Sequence, residues 1–128
     1  MAEERQNNQK RVLIVEDQKP MSHALQIKLT SSGFDAKVAN NGEEALKILE
    51  TEKFDIILLD LIMPRMDGFA ALQEMKKKNV NTPVIVASNL GQEDDIKKAK
   101  DLGASDYFIK SNVSIADIIE KIKKALNM

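Results

Sequence analysis

The chain has 128 residues, 43% of them hydrophobic, which is enough apolar material for the core of one domain of ordinary size. Its 19 basic and 20 acidic residues give a formal charge of −1, which argues against a generally cationic nucleic-acid binder. The sequence contains no cysteine, so it has no disulfide or thiolate metal site, and no apolar run approaches the roughly 18 residues of a membrane span. We therefore expect a soluble cytoplasmic protein whose function fits within one compact unit.

Residues 1–10 form a polar leader without the apolar core of a signal peptide, and we expect them to be flexible. The folded domain is predicted to cover residues 11–128. It starts with a buried strand at residues 12–15, followed by a helix that begins at Pro20 and stops at Gly33. The predicted inner stripe of this helix contains Met21, Ala24, Leu25, the stem of Lys28, and Leu29.

The same pattern of a strand followed by a helix recurs four more times. Further strands are predicted at residues 34–39, 54–60, 82–88 and 105–110, and helices are predicted to begin near Asn41, Gly68, Gln92 and Ser114. Strands that alternate with helices indicate βαβ units with right-handed crossovers. We therefore predict an α/β fold of the doubly wound, flavodoxin-like (βα)5 type, in which a five-stranded parallel sheet lies between two layers of helices.

Polar residues close four of the five predicted strands. In an open parallel sheet, ligands bind outside the carboxyl ends of the strands. The residues at these ends are Glu16 and Asp17, Asp60, Ser88, and Lys110. Asp60 is the least expected, because apolar residues stand on both sides of it and a buried carboxylate needs a partner. Three carboxylates at one edge repel one another, so at least one pKa should rise, and a ligand set made only of oxygens suits Mg²⁺ better than Ca²⁺.

With these residues identified, the chain resembles the receiver domains of two-component response regulators over residues 10–127. The resemblance rests on VLIVED, on the span DLIMPRMDG that starts at Asp60, on the hydroxyl of Ser88, and on Lys110 at the end of DYFIK. The span from Asp60 is highly specific, whereas a lone acidic pair or a lone lysine would be a weak signal. Because no DNA-binding module follows Met128, we expect a stand-alone receiver domain without direct DNA binding.

The resemblance implies a role for each residue at the edge. Asp60 would be the phosphoacceptor, which attacks a phosphohistidine or a small phosphodonor and becomes an acyl phosphate. Asp17 and Asp60 would ligate Mg²⁺ together with the backbone carbonyl of Ile62, and Glu16 would act largely through water. Lys110 would neutralise the phosphoryl oxygens.

The resemblance also implies a switch. Ser88 would hydrogen-bond a phosphoryl oxygen, and Tyr107 would be the aromatic residue that rotates in response. The moving element would be the loop after Ser88 together with the following helix, which has only Ile96, Ala99 and Leu102 on its inner stripe. The implied partners are a sensor histidine kinase or a histidine phosphotransfer protein, and a downstream protein target. The chain would not be an enzyme beyond reactions at its own Asp60.

Four residues depart from the pattern of the family. Ser111 follows Lys110 where proline is usual, and Asn89 follows Ser88 where a small residue is usual. Ile62 and Leu90 are apolar at positions where many members carry polar groups that handle the hydrolytic water. This apolar pair predicts a long-lived phosphoryl state.

Other functions remain open or are disfavoured by the sequence. A pseudo-receiver that keeps the fold and binds partners without being phosphorylated is the alternative, and Asn89 and Ser111 keep it open. An aspartate-nucleophile phosphatase needs a second acid two residues after the nucleophile, where Ile62 stands. A dinucleotide-binding enzyme needs a glycine-rich first turn, which VEDQKP does not provide. We interpret His23, the one histidine, as a surface residue.

Overall fold

The computed structural model describes residues 9–128, so most of the predicted polar leader lies outside the described residues. Within residues 9–128 there are five strands and five α-helices in strict alternation. The strands are β1 (Arg11–Val15), β2 (Asp35–Ala39), β3 (Ile56–Leu59), β4 (Val84–Ser88) and β5 (Asp106–Ile109). The helices are α1 (Lys19–Ser31), α2 (Gly42–Thr51), α3 (Gly68–Lys77), α4 (Glu93–Asp101) and α5 (Ile115–Ala125). A short 3₁₀ helix (Lys110–Asn112) follows β5.

All strand pairs in the sheet are parallel, and the order across the sheet is β2-β1-β3-β4-β5. The predicted doubly wound α/β fold is therefore confirmed. The chain moves outward from β1 to β2 on one side and from β3 to β5 on the other. Because the direction of winding reverses between β1 and β3, a crevice opens at the carboxyl ends of these two strands.

The central strands are buried on both faces, because their alternate side chains point into two separate cores. In β1, Leu13 and Val15 face a core that α2, α3 and α4 cover, while Val12 and Ile14 face a core that α1 and α5 cover. The continuous apolar runs of β1 and β3 follow from this arrangement. Among residues 9–128, no helix is long and apolar enough to span a membrane.

The ends of the helices largely follow the predicted signals. The Asn41 side chain accepts a hydrogen bond from the Glu44 N–H, and Ser114 forms a capping box with Asp117. Gly33 and Gly103 have φ values of +97° and +111°, which favour glycine after α1 and α4.

The predicted inner stripe of α1 was wrong at one position. Lys28 is exposed, whereas Ser22 is buried on the inner face together with Leu25 and Leu29. These three residues are spaced by three and four positions, which defines one face of a helix, and Lys28 lies about 100° away from Leu29. The helix also begins at Lys19, so Pro20 is its second residue rather than its first.

The loop between β3 and α3 folds back against the strand it leaves. Gly68 at the start of α3 donates its N–H to the Leu61 carbonyl at 2.9 Å, and Leu61 and Met63 are buried in the core. A Cβ atom added at Gly68 would lie 2.5 Å from the Asp60 carbonyl oxygen and 2.6 Å from the Leu61 Cα. The first turn of α3 therefore presses directly on the backbone that carries Asp60.

We predict that Gly68→Ala destabilises the protein, because the added methyl group would meet backbone atoms that cannot rotate away. The expected loss is about 2 kcal/mol in the free energy of unfolding, measured by urea denaturation. Gly91→Ala is the matched control, since a Cβ there would meet only the end of the Ile109 side chain, at 3.1 Å. A Gly68→Ala protein as stable as Gly91→Ala would show that the loop is not held by this contact.

Candidate functional site

Three carboxylates meet at the carboxyl ends of β1 and β3. One oxygen atom from each of Glu16, Asp17 and Asp60 lies within 4.8 Å of the other two. Glu16 and Asp60 are buried, with 2% and 7% of their surface exposed, while Asp17 is partly buried. The parallel register pairs Val15 with Leu59, so the next residue on each strand is an acid. The structure thus brings together the three acidic residues that the sequence singled out.

Lys110 directly follows β5, the edge strand of the sheet, and its side chain reaches the acidic cluster at the ends of β1 and β3. Its Nζ atom lies 2.5 Å from Glu16 Oε1 and 3.2 Å from Asp60 Oδ2, and its side chain is 10% exposed. The sequence predicts Lys110 at the same sheet edge as Asp60, but it does not indicate that Glu16 is the shorter contact of Lys110. No sequence signal reveals this preference, because it depends on how the turn after β5 lies across the sheet.

Burial and neighbouring charges shift the pKa values of Glu16 and Lys110. Burial raises the pKa of Glu16; the hydrogen bond from Lys110 opposes this effect and the charge of Asp60 adds to it. Burial alone would lower the pKa of Lys110, but its hydrogen bond to Glu16 and the charge of Asp60 outweigh burial and raise that pKa. The raised pKa of Glu16 agrees in direction with the expectation for at least one carboxylate, but burial is its largest cause and the repulsion by Asp60 on which the expectation rested is a smaller one.

Ser88 ends β4 and is fully buried. Its Oγ atom accepts a hydrogen bond from the Leu90 N–H at 3.3 Å, which leaves the hydroxyl proton available to another acceptor. Within residues 9–128, no hydrogen bond joins Ser88 to Asp60 or Lys110. Ser88 thus lies on the strand next to β3, and its hydroxyl proton is not donated to Asp60 or Lys110.

Tyr107 is half-buried on β5, and its hydroxyl donates a hydrogen bond to the Leu90 carbonyl. Burial raises the pKa of Tyr107, and the charges of Asp95 and Asp60 add to the rise. The residue therefore links β5 to the loop that follows Ser88. The sequence singled out Tyr107 but not this hydrogen bond, since the partner is a backbone carbonyl.

An open cleft lies above Asp60, and Ile62 stands at its mouth with 55% of its surface exposed. The Ile62 N–H donates to Asp60 Oδ1 at 3.3 Å, so each oxygen of this carboxylate has one partner. The residues that line the cleft include Asp17, Asp60, Ile62, Pro64, Asn89 and Lys110. The predicted metal contact through the Ile62 carbonyl stays a prediction.

The donor set fits a hard divalent cation. Three carboxylates and one ammonium group leave two formal negative charges uncompensated at one edge of the sheet. This excess negative charge favours the binding of a cation. The donors are all oxygens, and the open cleft leaves room for the water ligands that Mg²⁺ retains. These residues therefore fit a magnesium ion.

The acidic cluster and Lys110 lie at the carboxyl edge of a doubly wound parallel sheet. This arrangement is typical of the class of α/β proteins whose site lies where the direction of winding reverses. The chain belongs to the response regulator receiver domain family, whose sequence profile matches residues 12–123. The resemblance noted in the sequence is confirmed. Domains of this family generally bind Mg²⁺ at an acidic pocket.

Solved structures of receiver domains share this fold. A CheY-like receiver domain protein from Methanospirillum hungatei JF-1 superposes with a TM-score of 0.87 at 28% identity, over 94% of this chain and 95% of that one. The receiver domain of the Francisella response regulator 1452 superposes with a TM-score of 0.84 at 33% identity, over 89% and 93% of the two chains.

Curated relatives are longer proteins. The probable transcriptional regulator ycf27 of Cyanidium caldarium is 41% identical over 109 residues, which are 84% of this chain and 43% of that protein. The alkaline phosphatase synthesis transcriptional regulatory protein PhoP of Bacillus subtilis (strain 168) is 37% identical over 101 residues, or 79% and 42% of the two chains. The chain spans less than half the length of these relatives, so the expectation of a stand-alone domain stays a prediction.

The acidic cluster predicts opposite effects for two charge removals in metal-free buffer. Asp60→Asn should raise the free energy of unfolding by about 1 kcal/mol, because one of three crowded charges is lost while Lys110 keeps its contact with Glu16. Lys110→Met should lower it by about 3 kcal/mol, because Lys110 is the one cation within residues 9–128 that contacts the buried carboxylates of Glu16 and Asp60. Urea unfolding in the presence of a chelator measures both changes.

The response of the wild type and of Asp60→Asn to Mg²⁺ tests whether Asp60 belongs to a metal site. Added at ten times its dissociation constant, Mg²⁺ should stabilise the wild type by RT ln 11, about 1.4 kcal/mol, and Asp60→Asn by less. An Asp60→Asn protein that is less stable than wild type without metal, and equally responsive to Mg²⁺, would make Asp60 a structural ion-pair residue outside any metal site.

Proposed function

We propose that this domain is a phosphorylation switch of a two-component phosphorelay, with Asp60 as the phosphoacceptor. The observation that supports the proposal is the setting of the Asp60 carboxylate. It is held at the base of an open cleft by Lys110 on one oxygen and the Ile62 N–H on the other. A carboxylate oxygen oriented in this way can act as the nucleophile toward phosphorus.

The proposed reaction transfers a phosphoryl group from a phosphohistidine of a sensor histidine kinase or phosphotransfer protein. An Asp60 oxygen forms a bond to phosphorus while the P–N bond breaks and its electron pair returns to the imidazole. The product is an acyl phosphate on Asp60. Phosphoryl transfer depends mainly on positioning and on charge neutralisation, and the Lys110 ammonium group at 3.2 Å from Asp60 supplies both.

Asp17, Asp60 and the Ile62 carbonyl would hold the magnesium ion. When bound, the ion would neutralise charge on the phosphoryl oxygens. Glu16 would act through water, as expected from the sequence, and its direct contact with Lys110 supports this indirect role. Glu16 thereby positions the lysine beside Asp60.

The proposed switch passes through three residues in sequence. The Ser88 hydroxyl has a free proton to donate to the new phosphoryl oxygens, and its oxygen already holds the Leu90 N–H. A shift of Ser88 would therefore move Leu90, whose carbonyl accepts the Tyr107 hydroxyl. The next element is α4, in which Ala99 alone is fully buried, so it has little apolar anchorage to resist a change.

The output of this switch would be altered binding to a downstream protein. The expectations of a cytoplasmic location and of no direct DNA binding stay predictions, and two of the curated relatives carry the name of transcriptional regulators. The alternative is a pseudo-receiver that binds partners without phosphorylation. The two functions differ in whether the chain accepts a phosphoryl group, which can be measured.

The proposal predicts that the wild-type chain gains the mass of one phosphoryl group on incubation with Mg²⁺ and phosphoramidate, measured by intact mass spectrometry. Asp60→Asn should gain none, and a chelator should abolish labelling of the wild type. Asp94→Asn, which neutralises an exposed aspartate on α4, is the matched control and should label as the wild type does. Labelling that persists in Asp60→Asn would contradict the assignment of Asp60 as the phosphoacceptor, and labelling that never appears in the wild type with several donors would favour the pseudo-receiver.

The apolar residues beside the site predict a slow loss of the phosphoryl group. Ile62 stands exposed at the mouth of the cleft and Leu90 is half-buried near it, and neither side chain offers a hydrogen bond to an attacking water. Replacing both, by Ile62→Asn and Leu90→Glu, should speed the decay of the acyl phosphate by about tenfold or more. The apolar pair Ile62→Leu and Leu90→Met should leave it unchanged. Equal decay in the two double variants would contradict the prediction.

A further inference from the structure

One hydrogen bond joins two of the residues that depart from the family pattern. The Ser111 N–H donates to Asn89 Oδ1 at 3.1 Å. Asn89 directly follows Ser88, and Ser111 directly follows Lys110. The bond therefore ties the loop after β4 to the turn after β5, immediately beyond the two residues proposed to contact the phosphoryl group. We name this contact the Asn89–Ser111 latch.

The chemistry of the latch requires both residues. A backbone N–H needs an acceptor, and Oδ1 is the one acceptor that the Asn89 side chain has. A proline after Lys110 would have no N–H to donate. A small residue after Ser88 would have no side-chain acceptor. Each departure therefore supplies the group that the other one needs, and either change alone would remove the latch.

The latch lies at the mouth of the cleft that leads to Asp60. Asn89 lines this cleft together with Asp60 and Lys110. Asn89 is exposed, and the bond from the Ser111 N–H to its side-chain oxygen ties the amide group to the turn after β5 at the rim of the cleft. The neighbouring residue Leu90 is bound to Tyr107 through its carbonyl. Two successive residues of this loop are thus fastened to the β5 side of the site.

We infer that Asn89 is a positioning residue that narrows access to Asp60, through the latch with Ser111. The inference rests on the proposed phosphoacceptor role of Asp60. A narrowed mouth slows the entry of a small phosphodonor and also the approach of the water that hydrolyses the acyl phosphate. Opening the latch accelerates both processes, whereas a residue that stabilises the phosphoryl group would affect them in opposite directions.

The test compares four variants with the wild type, using Mg²⁺ and phosphoramidate. Asn89→Ala removes the acceptor and Ser111→Pro removes the donor, so each should raise both the rate of phosphorylation and the rate of loss by about fivefold, the ratio that one ordinary hydrogen bond supports. The double variant should match either single variant, because each single change already removes the hydrogen bond and the second change has nothing further to remove. Ser111→Ala is the matched control, since it keeps the N–H, and should behave as the wild type does.

Two further measurements separate the latch from a general structural effect. The free energy of unfolding of Asn89→Ala in urea should change little, because both partners lie at the surface and water replaces the lost contact. Amide hydrogen exchange at Ser111 should be about fivefold faster in Asn89→Ala than in the wild type. This exchange measurement does not require phosphorylation.

The inference is overturned if the two single variants add in the double variant, if Ser111→Ala shifts the rates as far as Ser111→Pro, or if Asn89→Ala leaves Ser111 exchange unchanged. It is also overturned if phosphorylation and loss move in opposite directions. A wild-type chain that never accepts the phosphoryl group overturns the proposed function and the inference together, and this outcome is distinct from a failure confined to the variants.

Discussion

Crowding of three carboxylates at one edge of the sheet is the constraint on which the site depends. Glu16 and Asp60 end adjacent parallel strands whose apolar residues are buried on both faces, so neither acid has room to move away from the other. Lys110 contacts both of them and is a strongly hydrogen-bonded cation in this setting. The remaining negative charge favours binding of a cation, and an arriving phosphoryl group would enter a field shaped by that cation and the lysine.

The backbone around Asp60 supports this geometry. The contact of Gly68 with the Asp60 carbonyl and the burial of Leu61 and Met63 hold the loop after β3 in place. A carboxylate on such a support keeps its direction when its charge changes. Rigidity on the β3 side contrasts with the β4 side, where the loop after Ser88 is held mainly by single hydrogen bonds.

In the proposed switch, these single hydrogen bonds would couple phosphorylation to a change of conformation. Ser88, Leu90 and Tyr107 form one connected path, and the Asn89–Ser111 latch forms another across the mouth of the cleft. Each bond is weak enough to be exchanged for a contact with a phosphoryl oxygen or with water. In the proposed switch, the sparse apolar anchorage of α4 would let such exchanges reach the surface.

The sequence by itself determined the fold class, the order of the elements and most of the residues that meet at the site. It could do so because the apolar periods, the capping residues and the strand-end acids are local patterns, and because parallel strands bring their carboxyl ends to one edge. Its error at Lys28 was also local, since Ser22, Leu25 and Leu29 are the buried residues of α1 and Lys28 lies about 100° from Leu29 around the helix.

The tertiary structure decided which of these residues touch. Three contacts join residues from different parts of the fold: the contact of Lys110 with Glu16, the hydrogen bond from Tyr107 to the Leu90 carbonyl, and the Asn89–Ser111 latch. Two of the three use a backbone group as donor or acceptor, and a backbone group has no signature in the sequence. Such contacts depend on distances set by the packing of whole elements, which no local pattern in the sequence encodes.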